Sequence, residues 1–466
     1  MTADNPVRWE ADGDVLVITI DNPPVNALRL GVRVGIIAAV DALEADGALV
    51  AAIVTGEGRA FIAGADITEF GKPPMDPNLN DAIYKLERSS KPIVAAINGV
   101  ALGGGLEVTL GCHGRIAHPK ARVGVPEVHL GVLPGAGGTQ RMPRIAGVEA
   151  TLDMATTGKH VPAPKALGMG LIDAVDEDVV GAAKAKAREL AAAGTWPVIA
   201  SMPNPVAPEG FFEAARAQIE KKARGQMSPL LNLEAVQAST EMPFAEGMDK
   251  ERELFVQGLT SDQSRGLIHA FFGEREVAKI PGLDPDAKPR EVKTAAIIGA
   301  GTMGGGIAMC FANAGIPVKV LEQTQEALDK GLGVCRKNYE NTAKKGRLTM
   351  DQVEQRMALF TGTTDINDLA DVDIVIEAVF ENMDVKKDIF TKLDAVCKEG
   401  CVLATNTSTL DINQIASVTK RPQDVIGIHF FSPANVMRLL ENVRGDTTAD
   451  DVILTAMNMG KRLGKV

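Results

Sequence analysis

No uncharged apolar run in this 466-residue sequence approaches the ~18 residues that a membrane span requires. The N-terminal stretch carries Asp4, Arg8, Glu10, Asp12 and Asp14 where an export signal is apolar, so export is not implied. Cysteine is scarce. The five at 112, 310, 335, 397 and 401 show no paired metal-ligand spacing, and only Cys397 and Cys401 lie close together. That pattern points to a reducing compartment and to no bound metal. A basic excess is missing as well. The net charge of -11 argues against broad binding of nucleic acid or of an anionic membrane, which call for a basic face, while leaving room for a local basic pocket.

What is present is ordinary for a globular protein, with 45% apolar and 23% charged residues. The length exceeds what one core organises, so two or more domains are expected. Val15–Ile20 is a β-branched apolar run that reads as a strand stopped by Asp21-Asn-Pro-Pro24. The residues from Val32 to Leu43 have helical spacing, and Ala51 to Thr55 reads as a second buried strand ending at Gly56-Glu-Gly58. Strand, turn and helix alternate, which is the pattern of an α/β fold.

The chemistry concentrates between Asn98 and Arg141. Gly103-Gly104-Gly105 feeds a helix, and glycines there leave amide N–H groups uncovered at the positive end of a helix dipole. Glu107 and Glu127 stand twenty positions apart. In one pocket they would form a pair able to hold a water and move its protons. Singly, a glutamate early in a helix suits the dipole, one beside proline is commonly solvated, and glycines fit tight turns. Asp66 reads as the N-cap of a helix beginning at Ile67.

This stretch, with Phe61-Ile-Ala-Gly-Ala-Asp-Ile67, resembles the enoyl-CoA hydratase/isomerase (crotonase) superfamily. Together with the later motifs, the chain from Val15 to Val466 resembles the multifunctional fatty-acid β-oxidation enzymes that fuse such a unit to an NAD-dependent 3-hydroxyacyl-CoA dehydrogenase. The resemblance implies that Ala65 and Gly104 give the two N–H donors of an oxyanion hole for a CoA thioester. It makes Glu127 the proton-transferring residue at Cα, and Glu107 its partner activating water at Cβ. Hydration of a trans-2-enoyl-CoA needs both glutamates, whereas isomerisation of a 3-enoyl-CoA needs one. Hydratase is therefore the first expectation and isomerase a second activity of the same site. Residues 71–80, with three prolines and two asparagines, read as a loop over the acyl end of the pocket. His113 and His129 match no catalytic position and are expected to be structural at the surface or core edge, as is Gly135–Arg141.

Further on, a strand from Lys293 to Ile298, the turn Gly299-Ala-Gly301-Thr-Met-Gly304, a helix and a strand from Val318 to Leu321 ending at Glu322 form a dinucleotide-binding signature. Gly299, Gly301 and Gly304 would seat the pyrophosphate on the helix N-terminus, and Glu322 the ribose hydroxyls, which favours NAD. The resembled family commonly has aspartate at that position. It also implies His429 as the base that takes the hydroxyl proton, Glu441 twelve residues later as its holder, Ser408 on the substrate hydroxyl, and Glu381 in the same region. Ser432 stands where some members have asparagine.

The expected architecture is a crotonase-type ββα spiral over 1–181, a helical linker over 182–288 that packs on both halves, and a Rossmann-type parallel-sheet domain over 289–466. The family's C-terminal helical domains are not seen after Val466. The sequence therefore reads as truncated, and NAD binding with weak or absent dehydrogenase turnover is expected. The expected partners are an acyl-CoA substrate and a thiolase or a second copy, without nucleic acid or a membrane span. The expected compartment is cytoplasmic, or peroxisomal in a eukaryote. An alternative is a dehydrogenase whose crotonase unit binds CoA without hydrating.

Overall fold

The β-branched runs of the sequence become buried strands of parallel sheets. The computed structural model describes residues 6–73 and 75–466. The chain divides into two units, Met1–Gly273 and Glu274–Val466.

In the first unit, a six-stranded sheet orders its strands as Val7–Asp12, Val15–Ile20, Ala51–Gly56, Ile93–Ile97, Gly114–Ala117 and Ala174–Val175. Every residue of Ala51–Gly56 and Ile93–Ile97 is buried. Parallel strands covered on both faces need that. Ala52 and Val54 face the helix Leu30–Ala45 through Val32, Ile36, Val40 and Leu43. Ala51 and Ile53 face the helix Val179–Ala193 through Val179, Ala183, Ala187 and Leu190. The period of two on the strands meets a period near four on each helix. The boundary expected at 181/182 thus falls inside a helix that covers the sheet.

A smaller sheet positions the site. Its strands, Ala60–Ile62, Val100–Leu102, Arg122–Gly124 and His160–Pro162, lie side by side in that order. The first three run parallel to one another. Each follows a strand of the large sheet, so the chain spirals strand, strand, helix. Parallel neighbours end at the same edge, and Ala65, Gly104 and Glu127 come two or three residues after those three ends.

The helices Ser228–Glu241 and Phe244–Leu259 pack on the first unit. Leu233 and Val236 join Val148 and Leu152, while Leu231, Ala235 and Leu254 join Leu133. The segment expected as a linker over 182–288 therefore belongs to the first unit as far as Gly273.

The second unit is built on a seven-stranded sheet, Phe360–Thr363, Val318–Leu321, Ala295–Ile298, Ile374–Glu377, Val402–Thr405, Val425–Phe430 and Leu440–Arg444. All pairs are parallel except the last. In chain order this is 3-2-1-4-5-6-7, which opens a crevice where the order reverses, between Ala295–Ile298 and Ile374–Glu377. Among the described residues no helix is long and apolar enough to cross a membrane, and all five cysteines are free and buried.

Candidate active site and dinucleotide crevice

The three glycines of the triplet are needed for three different reasons. Gly103 has φ 53°, and a side-chain carbon on it would stand 2.5 Å from Glu127 Oε1. One on Gly104 would stand 2.9 Å from Leu79 and 3.4 Å from the Ala65 nitrogen, so the two amides expected to act together are neighbours. One on Gly105 would stand 2.1 Å from the Ile62 carbonyl, because the helix Gly104–Leu110 packs against that strand end. Among the described residues, no acceptor is paired to the Ala65 or Gly104 N–H. Both open into a cavity of about 350 Å³ that also takes in Glu107, Glu127, Phe70 and Phe255. Two uncovered amides in such a place suit a carbonyl oxygen on which charge develops.

Glu107, 2% exposed, lies in the first turn of that helix, where Ala136 N–H and Gly138 N–H each donate to its Oε1 at 2.8 Å. Glu127 sits on a single 3-10 turn, Pro126–Leu130, where the sequence suggested a loop. Its Oε2 is buried without a hydrogen-bond partner. Burial pushes the Glu127 carboxyl well above the usual carboxylate range, and the nearby Glu107 charge pushes it further. Burial raises Glu107 too, against the pull of its two amide donors. Both shifts favour a proton shared within the pair, and the unsatisfied Glu127 Oε2 is the atom left free of structural bonds.

Two supports escaped the sequence. Arg141, wholly buried, binds Glu87 through Nε at 2.9 Å and Nη2 at 2.8 Å, and its Nη1 donates to the Ala136 carbonyl. This ion pair pins the turn that holds Glu107, in keeping with the structural role expected of Gly135–Arg141. Glu251, on the helix Phe244–Leu259 and with no exposed surface, accepts from Gly137 N–H at 2.7 Å and from Thr139 N–H at 3.0 Å. The same helix lends Phe255, Val256 and Leu259 to the cavity wall. Phe255 meets Phe70 edge to face at 6.2 Å. From the expected loop, Gly71, Met75 and Asn78 line the cavity, although a capping box at Asn78 already starts the helix Leu79–Glu87 there. Pro74 lies outside the described residues.

Asp66 caps the short helix Ile67–Glu69, accepting from Thr68 N–H at 2.9 Å. His113 is buried, its Nδ1 accepting from Ile93 N–H and its Nε2 against the Glu87 carbonyl, whereas His129 is exposed.

In the second unit the glycine turn sorts in the same way. Gly299 has φ 99°, and a side-chain carbon on Gly304 would stand 1.8 Å from the Gly299 carbonyl. One on Gly301 would meet nothing within 4 Å. The turn is tight where it must be and open at the N-terminus of the helix Thr302–Asn313. Glu322 lies at the end of Val318–Leu321 and accepts from Ala300 N–H at 2.9 Å. An open glycine face, a helix N-terminus and an acid at the second strand's end fit a dinucleotide.

His429 and Glu441 stand directly opposite each other on antiparallel strands, with Nδ1 2.9 Å from Oε2. Twelve residues of separation are what that hairpin requires. Glu381 accepts from Thr407 Oγ1 at 2.5 Å and from Ser408 N–H at 3.0 Å, with Lys386 Nζ 3.5 Å away. Partial burial pushes the Glu381 carboxyl up, but these donors and the Lys386 charge outweigh it and hold the group below its usual range. Ser408 Oγ also faces Glu381, at 3.4 Å. Asn406 accepts from Phe430 N–H at 2.8 Å and ties the 406–409 loop to the histidine strand. Among the described residues no group of His, Cys, Asp and Glu could hold a metal ion.

Two family descriptions match the chain. Residues 10–202 match enoyl-CoA hydratase/isomerase, and residues 294–466 match the NAD binding domain of 3-hydroxyacyl-CoA dehydrogenase. The chain is 44% identical to the peroxisomal bifunctional enzyme of Danio rerio, over 97% of this chain and 63% of that protein. It is 39% identical to the peroxisomal fatty acid beta-oxidation multifunctional protein MFP2 of Arabidopsis thaliana, over 98% of this chain and 65% of that protein. With the peroxisomal bifunctional enzyme of Cavia porcellus it shares 40% over 97% and 63%. The chain thus spans slightly less than two thirds of the length of these curated relatives.

Proposed function

Since the chain belongs to the family that fuses an enoyl-CoA hydratase/isomerase to the NAD-binding domain of a 3-hydroxyacyl-CoA dehydrogenase, we propose that its first unit hydrates trans-2-enoyl-CoA and its second serves oxidation of the 3-hydroxyacyl-CoA formed. The observation that carries the reading is one cavity holding the Ala65 and Gly104 amides together with Glu107 and Glu127.

The thioester oxygen lies on the two amides, which stabilise the negative charge it gains. Glu107, whose ionised form the two N–H donors favour over that of Glu127, takes a proton from water as the oxygen bonds to Cβ. Glu127, kept protonated by burial and by the Glu107 charge, delivers its proton to Cα. With the shared proton on Glu107 instead, ionised Glu127 takes a Cα proton from a 3-enoyl-CoA and returns it at Cγ, which isomerises the double bond in the same site. In the second unit, the Gly299–Gly304 turn, the helix behind it and Glu322 hold NAD, which when bound supplies the hydride acceptor. His429, oriented by Glu441, takes the hydroxyl proton, and Ser408 with Glu381 positions that hydroxyl. The 3-ketoacyl-CoA formed is the substrate class of a thiolase, the partner expected from sequence. The names of the relatives favour the peroxisomal over the cytoplasmic expectation.

Loss of the enoyl thioester absorbance of crotonyl-CoA without NAD tests the first activity, and NADH formation on adding NAD tests the second. Glu127→Gln lowers the hydration kcat by roughly 10²–10⁴-fold. Wild-type hydration by that variant, with NADH still formed from 3-hydroxybutyryl-CoA, would favour a dehydrogenase whose first unit only binds CoA.

A further inference from the structure

Four successive amides at the start of the helix Gly138–Ala146 are divided between two buried carboxylates. Ala136 and Gly138 donate to Glu107 Oε1, both at 2.8 Å. Gly137 donates to Glu251 Oε1 at 2.7 Å and Thr139 to Glu251 Oε2 at 3.0 Å, with the Thr139 hydroxyl on the same oxygen at 2.5 Å. Gly137, at φ 93°, lets the backbone turn alternate N–H groups to opposite sides. Neither carboxylate can shift without moving the peptides that hold the other. We propose that Glu251 is a positioning residue for Glu107. By gripping the odd-numbered amides from the helix Phe244–Leu259, it keeps the even-numbered ones aimed at the carboxylate that activates water.

The chemistry of the site supports this. Glu251 approaches no cavity surface and forms no ion pair among the described residues, so it brings no substrate contact, and its charge reaches the buried Arg141 only through space. A buried carboxylate without a cation is costly unless its hydrogen bonds are worth keeping. Burial, with the Glu107 charge second, pushes its carboxyl up to about 8. A third carboxyl that stays largely protonated at neutral pH grips the turn without adding full charge beside Glu107. Glutamine replaces it poorly: a protonated Oε2 can donate to the Thr139 hydroxyl oxygen and still accept from the Thr139 N–H, whereas an amide NH2 in either position can only donate.

The inference rests on the hydratase reading, and its test separates the two. With Glu251→Gln, kcat for crotonyl-CoA hydration should fall about tenfold or more, from a misplaced Glu107, while KM changes by less than about twofold. Isomerisation of a 3-enoyl-CoA, which runs through Glu127, should fall much less, so the hydration-to-isomerisation ratio drops. Thr139→Val, which keeps the amide and removes only the hydroxyl, should shift the ratio in the same direction by a smaller factor. That variant decides the matter if Glu251→Gln does not fold. Folded variants with wild-type kcat, or with both activities falling in proportion, would overturn the inference. A wild-type chain that hydrates nothing would instead sink the reading beneath it.

Discussion

The cavity of the first unit and the 377–408 cluster of the second treat buried carboxylates in opposite ways. In the first, Glu107, Glu127 and Glu251 lie together without a cation bonded to any of them, served by backbone amides, and each is pushed above the usual carboxylate range by burial. In the second, Glu377 is just as deeply buried but has Lys386 Nζ at 2.8 and 2.9 Å and the Thr405 hydroxyl at 2.7 Å. Glu381, half in solvent, is held below its range by Thr407, Ser408 and Lys386. Partners, not depth, separate the two sets. Moving protons to and from carbon at neutral pH needs acids that keep a proton, which fits carboxyls that no cation directly bonds. A histidine base needs a charged holder, and Glu441 remains 53% exposed on its side chain.

The comparison breaks most sharply at Gly103, where geometry and proton affinity meet. Gly103→Ala forces a Cβ to 2.5 Å from Glu127 Oε1 at a φ that L side chains rarely adopt. It should swing the Gly104 amide away from Ala65 and cut hydration by about 10²-fold or more, as loss of one oxyanion donor does. Steady-state rates with crotonyl-CoA, beside a thermal melt confirming the fold, check this. A rate within about threefold of wild type would mean that the triplet shapes a turn and nothing more.

Much of this was legible in the sequence because its motifs resemble a known family's, and the fold gives the physical reason for their spacing. The spacing of Ala65, Gly104 and Glu127 follows from three parallel strands ending at one edge, and the separation of His429 from Glu441 from one hairpin. Glu251 was not legible. It lies more than a hundred residues from the amides it holds, inside Asp249-Lys-Glu-Arg-Glu253, which reads as a solvated face. The signal was its phase: Gly247, Met248, Glu251, Leu254 and Gly258 are the buried residues of that helix, at helical spacing. A lone acid on an apolar stripe was the clue. The division at Gly273 was equally hidden, since amphipathic helices do not announce which core they will cover.

A milder test bears on the second unit. Glu322→Ala removes the acid expected on the ribose hydroxyls and should raise the Kd for NAD by about tenfold or more, the worth of a hydrogen bond to a charged group. Titration calorimetry reads it. An unchanged Kd would mean that the carboxylate serves only the Ala300 and Gln323 amides it touches.

The smallest effect sharpens the contrast through pH. A carboxyl whose pKa is higher folded than unfolded binds its proton more tightly in the native state. Its contribution to stability is full below the unfolded value and is lost as pH rises through the folded one. Glu251, moved from the ordinary 4.5 to about 8, should therefore cost the first unit stability as pH climbs through the window between those two values. Glu381 has the opposite sign: its lowered value stabilises the second unit above the ordinary carboxylate pKa, and that is lost as pH falls through the lowered one. In calorimetry, transitions assigned with Glu251→Gln should show the first unit melting lower toward alkaline pH, by roughly 2–4 °C for each kcal/mol lost. The second should be sensitive only at the acid end. A first-unit melting temperature that is flat across that window would show that Glu251 is ionised throughout, and that the amides of Gly137 and Thr139 outweigh burial.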